Sequence, residues 1–282
     1  MIEVRELTRH GAHATGGHRS GPASGDDGTM RGYSPSSYGD AFADVYDDWY
    51  RDITDIPTTV AFIGALAGTA GSVLELGVGT GRLAVPLAPH VGSIVGIDSS
   101  EKMLDRLAST DPHRTVIGVR GDMVDDLPAG QHEVVFAAYN TIFNLLTAER
   151  QQACFAAVSE RLSPSGSFVV EAFVPQPHTG SQVSVRSMAA DRVVLSASVH
   201  DADRQRAEGQ FIEFTETGGV RLRPWAIRWA QPDELDAMAD AAGLRVAERW
   251  ADFDRSAFGP ESERHVTVYQ QRRPAEPSGS AA

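Results

Sequence analysis

The residue types best suited to chemistry are concentrated in one run, Val73-Leu74-Glu75-Leu76-Gly77-Val78-Gly79-Thr80-Gly81-Arg82. Glycines at alternate positions permit positive φ and let a ligand approach the main chain closely. A loop of this kind between a strand and a helix sets its ligand at the carboxyl end of the strand. A dinucleotide-binding loop needs a third glycine where Arg82 stands. Glu75 precedes the first glycine by two positions. Its carboxylate would repel a pyrophosphate and attract a ligand carrying an ammonium and a sulfonium. Asp98, seventeen residues beyond Gly81, can accept from both hydroxyls of a ribose. Bonds to a charged group of this kind contribute roughly 1.5–3 kcal/mol each. In Gly121-Asp122-Met123 the acid can accept from an adenine amino group while the methionine packs on the ring.

A second group of residues bears on the acceptor side. Tyr38, Tyr46, Trp49 and Tyr50 are too aromatic for a polar tail. They read either as packing on the first helix or as a lid whose tyrosine rings meet a sulfonium. No local motif names a general base. Tyr139 and Asn140, with His200, Glu213 and Glu216, are the candidates, and each also has a structural reading.

These residues must be positioned by alternating elements. Short apolar runs at Ser72–Leu76, Ser93–Ile97, Thr115–Val119, Glu133–Ala138 and Ser167–Phe173 are expected strands. Helical spacing follows Ile56-Pro57 through Val60 and Ile63. A helix weakened by Pro86 spans Leu83 to Ala88. Ser100 caps a helix carrying Met103, Leu104 and Leu107, and Thr147 caps one carrying Phe155, Val158 and Leu162. Past Pro175 the rhythm changes to strand-like text at Gln182–Val199, Gln205–Thr217 and Val220–Ala230, joined by direct turns that imply antiparallel pairing. A helix from Pro232 and strands at Leu244–Trp250 and His265–Gln270 close the chain. The expectation is an α/β fold with a Rossmann-like, mainly parallel seven-stranded sheet, helices on both faces, and an antiparallel β insertion after strand five. Its bounds are 36–271, with the insertion at about 180–231; residues 1–35 and 272–282 read as disordered tails.

The ordered set Glu75-Leu-Gly77-Val-Gly79-Thr-Gly81, Asp98 and Gly121-Asp122-Met123 resembles the motif series of class I S-adenosylmethionine-dependent methyltransferases. The resemblance covers about Tyr38 to Phe173. It implies S-adenosylmethionine as cofactor, with the glycine loop at the methionine portion, Asp98 on the ribose and Asp122 on adenine. It extends the cofactor-contacting set to Thr80, Arg82, Ser99, Met103, Gly121, Tyr139 and the lid residues Tyr46 and Tyr50. The tyrosines and the insertion resemble those of small-molecule methyltransferases, including amino-sugar enzymes. The implied reaction is methyl transfer to a nitrogen or oxygen of a small natural product. Two other readings stay open. One is a nucleotide-dependent oxidoreductase, which Arg82 and Glu75 oppose; the other is a non-catalytic adenosyl-binding module.

Composition narrows the partners. The 282 residues carry a formal charge of −13, which argues against a nucleic-acid partner, since phosphate contacts need a basic face. No apolar run is long enough for a bilayer span. The single cysteine, Cys154, excludes an intramolecular disulfide and fits a cytoplasmic setting. No acid/histidine cluster at ligand spacing points to a metal; His10, His13 and His18 lie scattered in the tail. The oligomeric state is open, a homodimer included.

Overall fold

The structure is a computed structural model that describes residues 30–51 and 53–272. The expectations for the scattered tail histidines and for residues 1–29 and 273–282 lie outside the described residues. The described residues open with three helices, α1 (Ser37–Phe42), α2 (Tyr46–Trp49) and α3 (Ile56–Ala67). Then follow β1 (Ser72–Leu76), α4 (Ala84–Leu87), β2 (Ser93–Asp98), α5 (Glu101–Thr110), β3 (Ile117–Arg120), β4 (His132–Ala137), α6 (Ala148–Ser159) and β5 (Leu162–Phe173). The second half holds β6 (Gly180–Met188), β7 (Arg192–Asp201), β8 (Arg206–Thr215), β9 (Val220–Arg228), α7 (Pro232–Ala241), β10 (Leu244–Trp250) and β11 (Arg264–Gln271).

The helices start where capping chemistry allows. Asp55 Oδ1 accepts from Thr58 N at 3.1 Å before α3, Ser100 Oγ from Met103 N at 3.2 Å before α5, and Thr147 Oγ1 from Arg150 N at 3.2 Å before α6. At α7, Glu234 reaches back to Gln231 N, and Pro232 takes a first-turn position that needs no N–H.

Seven strands form one sheet in the order β10-β11-β5-β4-β1-β2-β3, and β6-β7-β8-β9 form a second, wholly antiparallel sheet. In the first sheet β11 runs antiparallel to both β5 and β10, and the other pairings are parallel. Strand alternation sorts the core. Val73, Ile94, Val134 and Val169 face one side with Phe62 and Ile63 of α3. Leu74, Leu76, Val135 and Phe168 face the other with Phe155 and Val158 of α6. The inner face of the second sheet (Val194, Ala207, Phe211, Trp225) joins this latter core through Phe42 and Tyr50.

Three expectations change. Residues 30–35, assigned to the tail, pack on the second sheet: Met30 N donates to Glu208 Oε2 at 3.0 Å, and Tyr33 Oη accepts from Ala226 N at 3.3 Å. Gln182–Val199 is two strands, because Ala189 N donates to Arg192 O at 2.7 Å across a tight turn that no glycine or proline announces. Leu162 opens β5 instead of ending α6. Three extra residues around Pro164 bulge out between the pairings His132↔Leu162 and Val134↔Ser167.

Candidate active site

The order β2-β1-β4 sets the carboxyl ends of consecutive and non-consecutive strands side by side, the place where an open α/β sheet parts its connections and leaves a crevice. Glu75 sits in β1 between Gly96 of β2 and Phe136 of β4, so it is buried (4 % exposed). Burial, reinforced by Asp98 and opposed by Arg82, pushes its carboxyl up to about 8. It accepts from the Ala84 N–H, and its Oε2 is buried with no partner among the described residues. The Arg82 guanidinium stands 5.7 Å over the Tyr139 ring, and its Nε and Nη1 are likewise buried without partners. Both residues border a cavity of about 20 Å³, room for little more than a water, with Tyr46, Gly77, Tyr139 and Thr141 around it. An acid and a base held apart and unsatisfied match an α-ammonium and an α-carboxylate on one ligand.

The loop that follows is tied to β2. Gly77 N and Val78 N both donate to Ile97 O (2.8 and 3.0 Å), and Gly79 N donates to Asp98 Oδ2 at 2.9 Å. Gly77, Gly79 and Gly81 take φ of 68°, 57° and 82°. A Cβ on Gly77 would stand 2.7 Å from Thr141 Cγ2, and one on Gly81 2.4 Å from Leu107 Cδ1. The loop leads into only one turn of helix, shortened by Pro86. Asp98 Oδ1 accepts from Ser100 N at 2.8 Å. Burial raises the Asp98 carboxyl, and these two backbone N–H groups hold it down. A carboxylate has about four acceptor sites, so two remain for a ligand. Thr80, expected on the cofactor, instead donates through Oγ1 to Asp47 Oδ1 of α2 at 2.6 Å and fastens that helix to the loop.

A larger cavity of about 300 Å³ opens beside the loop. Of the residues singled out in the sequence, Tyr46, Gly77, Gly79, Asp98, Ser99, Met103, Gly121, Asp122 and Met123 line it. Asp122 is already engaged: Oδ1 accepts from Arg150 Nη2 at 2.5 Å and from Val124 N at 2.8 Å. Arg150 itself lines the cavity, as do Tyr33, Tyr38 and Leu145. Arg150 was not legible as a site residue, because it belongs to the first turn of α6 and meets Asp122 only through the fold.

Tyr50 backs the lid. Its ring lies 4.9 Å from Tyr46 and 5.9 Å edge-on from Tyr139. Tyr46 and Tyr139 have phenols raised by burial, so they act as donors, not bases. Tyr139 and Asn140 both hold positive φ, 52° and 63°, in non-glycine residues, a strained geometry that the surroundings must enforce. Glu171 enforces it, accepting from Tyr139 N at 2.8 Å through Oε2 and from Asn140 N at 3.0 Å through its carbonyl. Asn140 Oδ1 accepts from Phe173 N at 2.6 Å, which ties the ends of β4 and β5 and removes it from base duty.

His200 and Glu213, also singled out as bases, border neither cavity. Glu213 Oε2 accepts from the buried Arg223 at 2.8 Å, and Arg223 also pairs with Asp44 Oδ1 at 2.7 Å. That ion-pair chain clamps the second sheet to the turn between α1 and α2. His200 Nε2 meets Ser198 Oγ at 3.0 Å, and burial plus the His178 ring 4.1 Å away push its pKa down to about 4. Among the described residues no cluster of three or more His, Cys, Asp or Glu could hold a metal, and no helix is long and apolar enough to cross a membrane.

Residues 73–166 match the model of a methyltransferase domain. The solved structure of the CcbJ methyltransferase from Streptomyces caelestis is 41% identical, with 86% of this chain and 100% of that one covered and a TM-score of 0.80. The cypemycin N-terminal methyltransferase of a Streptomyces species is 27% identical over 217 residues, 75% of this chain and 88% of the relative. The dTDP-3-amino-3,4,6-trideoxy-alpha-D-glucopyranose N,N-dimethyltransferase of Streptomyces venezuelae is 29% identical over 215 residues, 72% of this chain and 90% of the relative. With the seven-stranded sheet, the glycine loop after β1 and the acid at the end of β2, these likenesses establish that the chain belongs to the class I S-adenosylmethionine-dependent methyltransferases.

Proposed function

We propose that the protein methylates an amine nitrogen of a small natural product, with the cofactor held across both cavities and the acceptor under the second sheet. The observation that carries the cofactor assignment is the pair of unsatisfied groups at the small cavity. Glu75 Oε2 would accept from the methionine ammonium and Arg82 would donate to its carboxylate. Asp98 would take the ribose hydroxyls and Asp122, oriented by Arg150, the adenine amino group, with Met103 and Met123 against the ring. When bound, S-adenosylmethionine supplies a methyl carbon made electrophilic by its sulfonium.

The residues supply position and dryness. Alignment of reacting groups is worth roughly 7–11 kcal/mol. The Tyr38, Tyr46 and Tyr50 rings close the cofactor side against water, and Tyr139 is held at its edge by the strained turn that Glu171 supports. Nitrogen is favoured because Asn140 is committed to Phe173 N, burial raises the Tyr46 and Tyr139 phenols, and His200 and Glu213 stand away from both cavities. An amine that arrives unprotonated needs no strong base; a hydroxyl does. The names of two relatives, both methylating nitrogen, support the same choice.

The test is a panel of primary and secondary amines and matched phenols incubated with enzyme and S-adenosylmethionine, read by mass spectrometry. Methylated amines are expected. Methylation confined to phenols would overturn the nitrogen assignment, and turnover of a nicotinamide cofactor would overturn the whole reading.

A further inference from the structure

The inner face of the second sheet carries a cation that lacks an acceptor. β6 pairs with β7 up to Val185↔Leu195 and resumes at Ser187↔Val194, which leaves Arg186 as the extra residue of a β-bulge. Arg186 continues the half-buried series of Gln182 and Ser184, and bulges recur beside active sites. The Arg186 guanidinium lies 4.7 Å from the Phe211 ring centroid, 5.1 Å from Trp49 and 5.4 Å from Tyr50. Its Nη1 is buried with no hydrogen-bond partner among the described residues. A second buried donor without a partner, Trp225 Nε1, belongs to a ring 6.5 Å from the same Phe211. Arg223, a neighbour on this face, shows the contrast: its two terminal nitrogens pair with the carboxylates of Asp44 and Glu213.

Two unmatched donors around one aromatic ring, with no carboxylate assigned to them, make a site for an anion. Its position is the acceptor side of the fold. Tyr50, stacked under Arg186, touches Tyr139 at 5.9 Å, and Tyr139 borders the small cavity with Glu75 and Arg82. We infer that Arg186 determines acceptor specificity by anchoring an anionic group, a carboxylate or a phosphoryl, on the molecule to be methylated. Three aromatic rings surround the guanidinium within 5.4 Å and restrict where it can move. Its edge then offers the paired N–H geometry that carboxylate and phosphoryl oxygens accept.

The inference rests on the proposed cofactor and acceptor sites, and the experiment separates the two. The full chain, saturated with S-adenosylhomocysteine, is titrated calorimetrically with phenyl phosphate, benzoate and the neutral benzamide. At least one anion is expected to bind about tenfold or more tighter than benzamide, as a desolvated charge pair should. The preferred anion distinguishes a phosphoryl-bearing from a carboxylate-bearing acceptor. Arg186→Met should bring the three probes to near parity with S-adenosylhomocysteine affinity unchanged, and Arg186→Lys should keep part of the preference. Equal binding of all three probes to the wild type, no detectable binding of either anion at millimolar concentration, or a preference that survives in R186M would overturn the inference. The wild-type comparison decides even where a variant folds poorly. Failure of the wild type to bind S-adenosylhomocysteine would instead overturn the cofactor site.

Discussion

Replacing Glu75 by Gln should stabilise the protein and cripple its cofactor binding. The carboxyl is buried and titrates at about 8 in the folded chain, against an ordinary value of 4.5. Between those values the unfolded chain has released the proton and the folded chain keeps it. The folded state binds more protons, so stability falls as pH rises from 4.5 to about 8 and levels off above it. At pH 7 the distance from 4.5 is about 2.5 units, which at 1.36 kcal/mol per unit costs about 3 kcal/mol. Glutamine has nearly the same shape and ionises in neither state, so E75Q escapes that cost. The gain should be near zero at pH 4.5, reach about 3 kcal/mol at pH 7 and level off only above about pH 8. For a domain of this size 3 kcal/mol corresponds to roughly 6–12 °C in melting temperature. The same change removes the anion facing the methionine ammonium. Losing a hydrogen bond between charged groups, roughly 1.5–3 kcal/mol, weakens S-adenosylhomocysteine binding by about 10- to 150-fold. Thermal melts at pH 5 and pH 8, with calorimetric titration at pH 8, read both effects. A variant less stable than wild type by the same amount at both pH values, or with unchanged affinity, would refute the reasoning and make Glu75 a structural acid.

The remaining perturbations test separate parts of the site. Asp98→Ala removes the acceptor for Gly79 N and Ser100 N along with the ribose contact, and calorimetry should find cofactor affinity down about tenfold or more; unchanged affinity would remove Asp98 from the site. Gly81→Ala meets both a φ of +82° and a Cβ 2.4 Å from Leu107 Cδ1, so a loss of about 1–3 kcal/mol is expected in urea unfolding; a neutral result would mean that the loop relaxes at no cost. Glu213→Gln takes the charge partner from the buried Arg223, so the melting temperature should drop while S-adenosylhomocysteine affinity is retained. A normal melting temperature would show that the Glu213–Arg223 link of the clamp contributes nothing.

Much of the cofactor half was readable before any fold was known. β1 and β2 begin at the expected residues, and the caps at Ser100 and Thr147 are made as expected, because local hydrogen-bond chemistry decides them. Asp98 and Asp122 were legible by their distance from the glycine loop. Both reach the large cavity because one crossover separates successive parallel strands. Where sequence reasoning failed, contacts across long separations had decided the matter. Thr80 reads as a ligand contact until Asp47 arrives from α2. Glu213 reads as a free acid until Arg223 arrives from the next strand. Residues 30–35 look like tail because their text is polar, and only β8 and β9 give their backbone somewhere to bind.

By itself, then, the sequence determined the fold class, the glycine loop and the identity of the cofactor, since these rest on side-chain type, short spacing and backbone sterics. The tertiary structure alone decided the burial of Glu75 between two neighbouring strands, and with it the elevated pKa. It alone brought Arg150 to Asp122, put strain into Tyr139 and Asn140, and gathered Trp49, Tyr50 and Phe211 around Arg186. The physical reason is common to all of these. Desolvation, ion pairing and strain depend on what lies on every side of a group, and a linear spacing supplies only its neighbours along the chain.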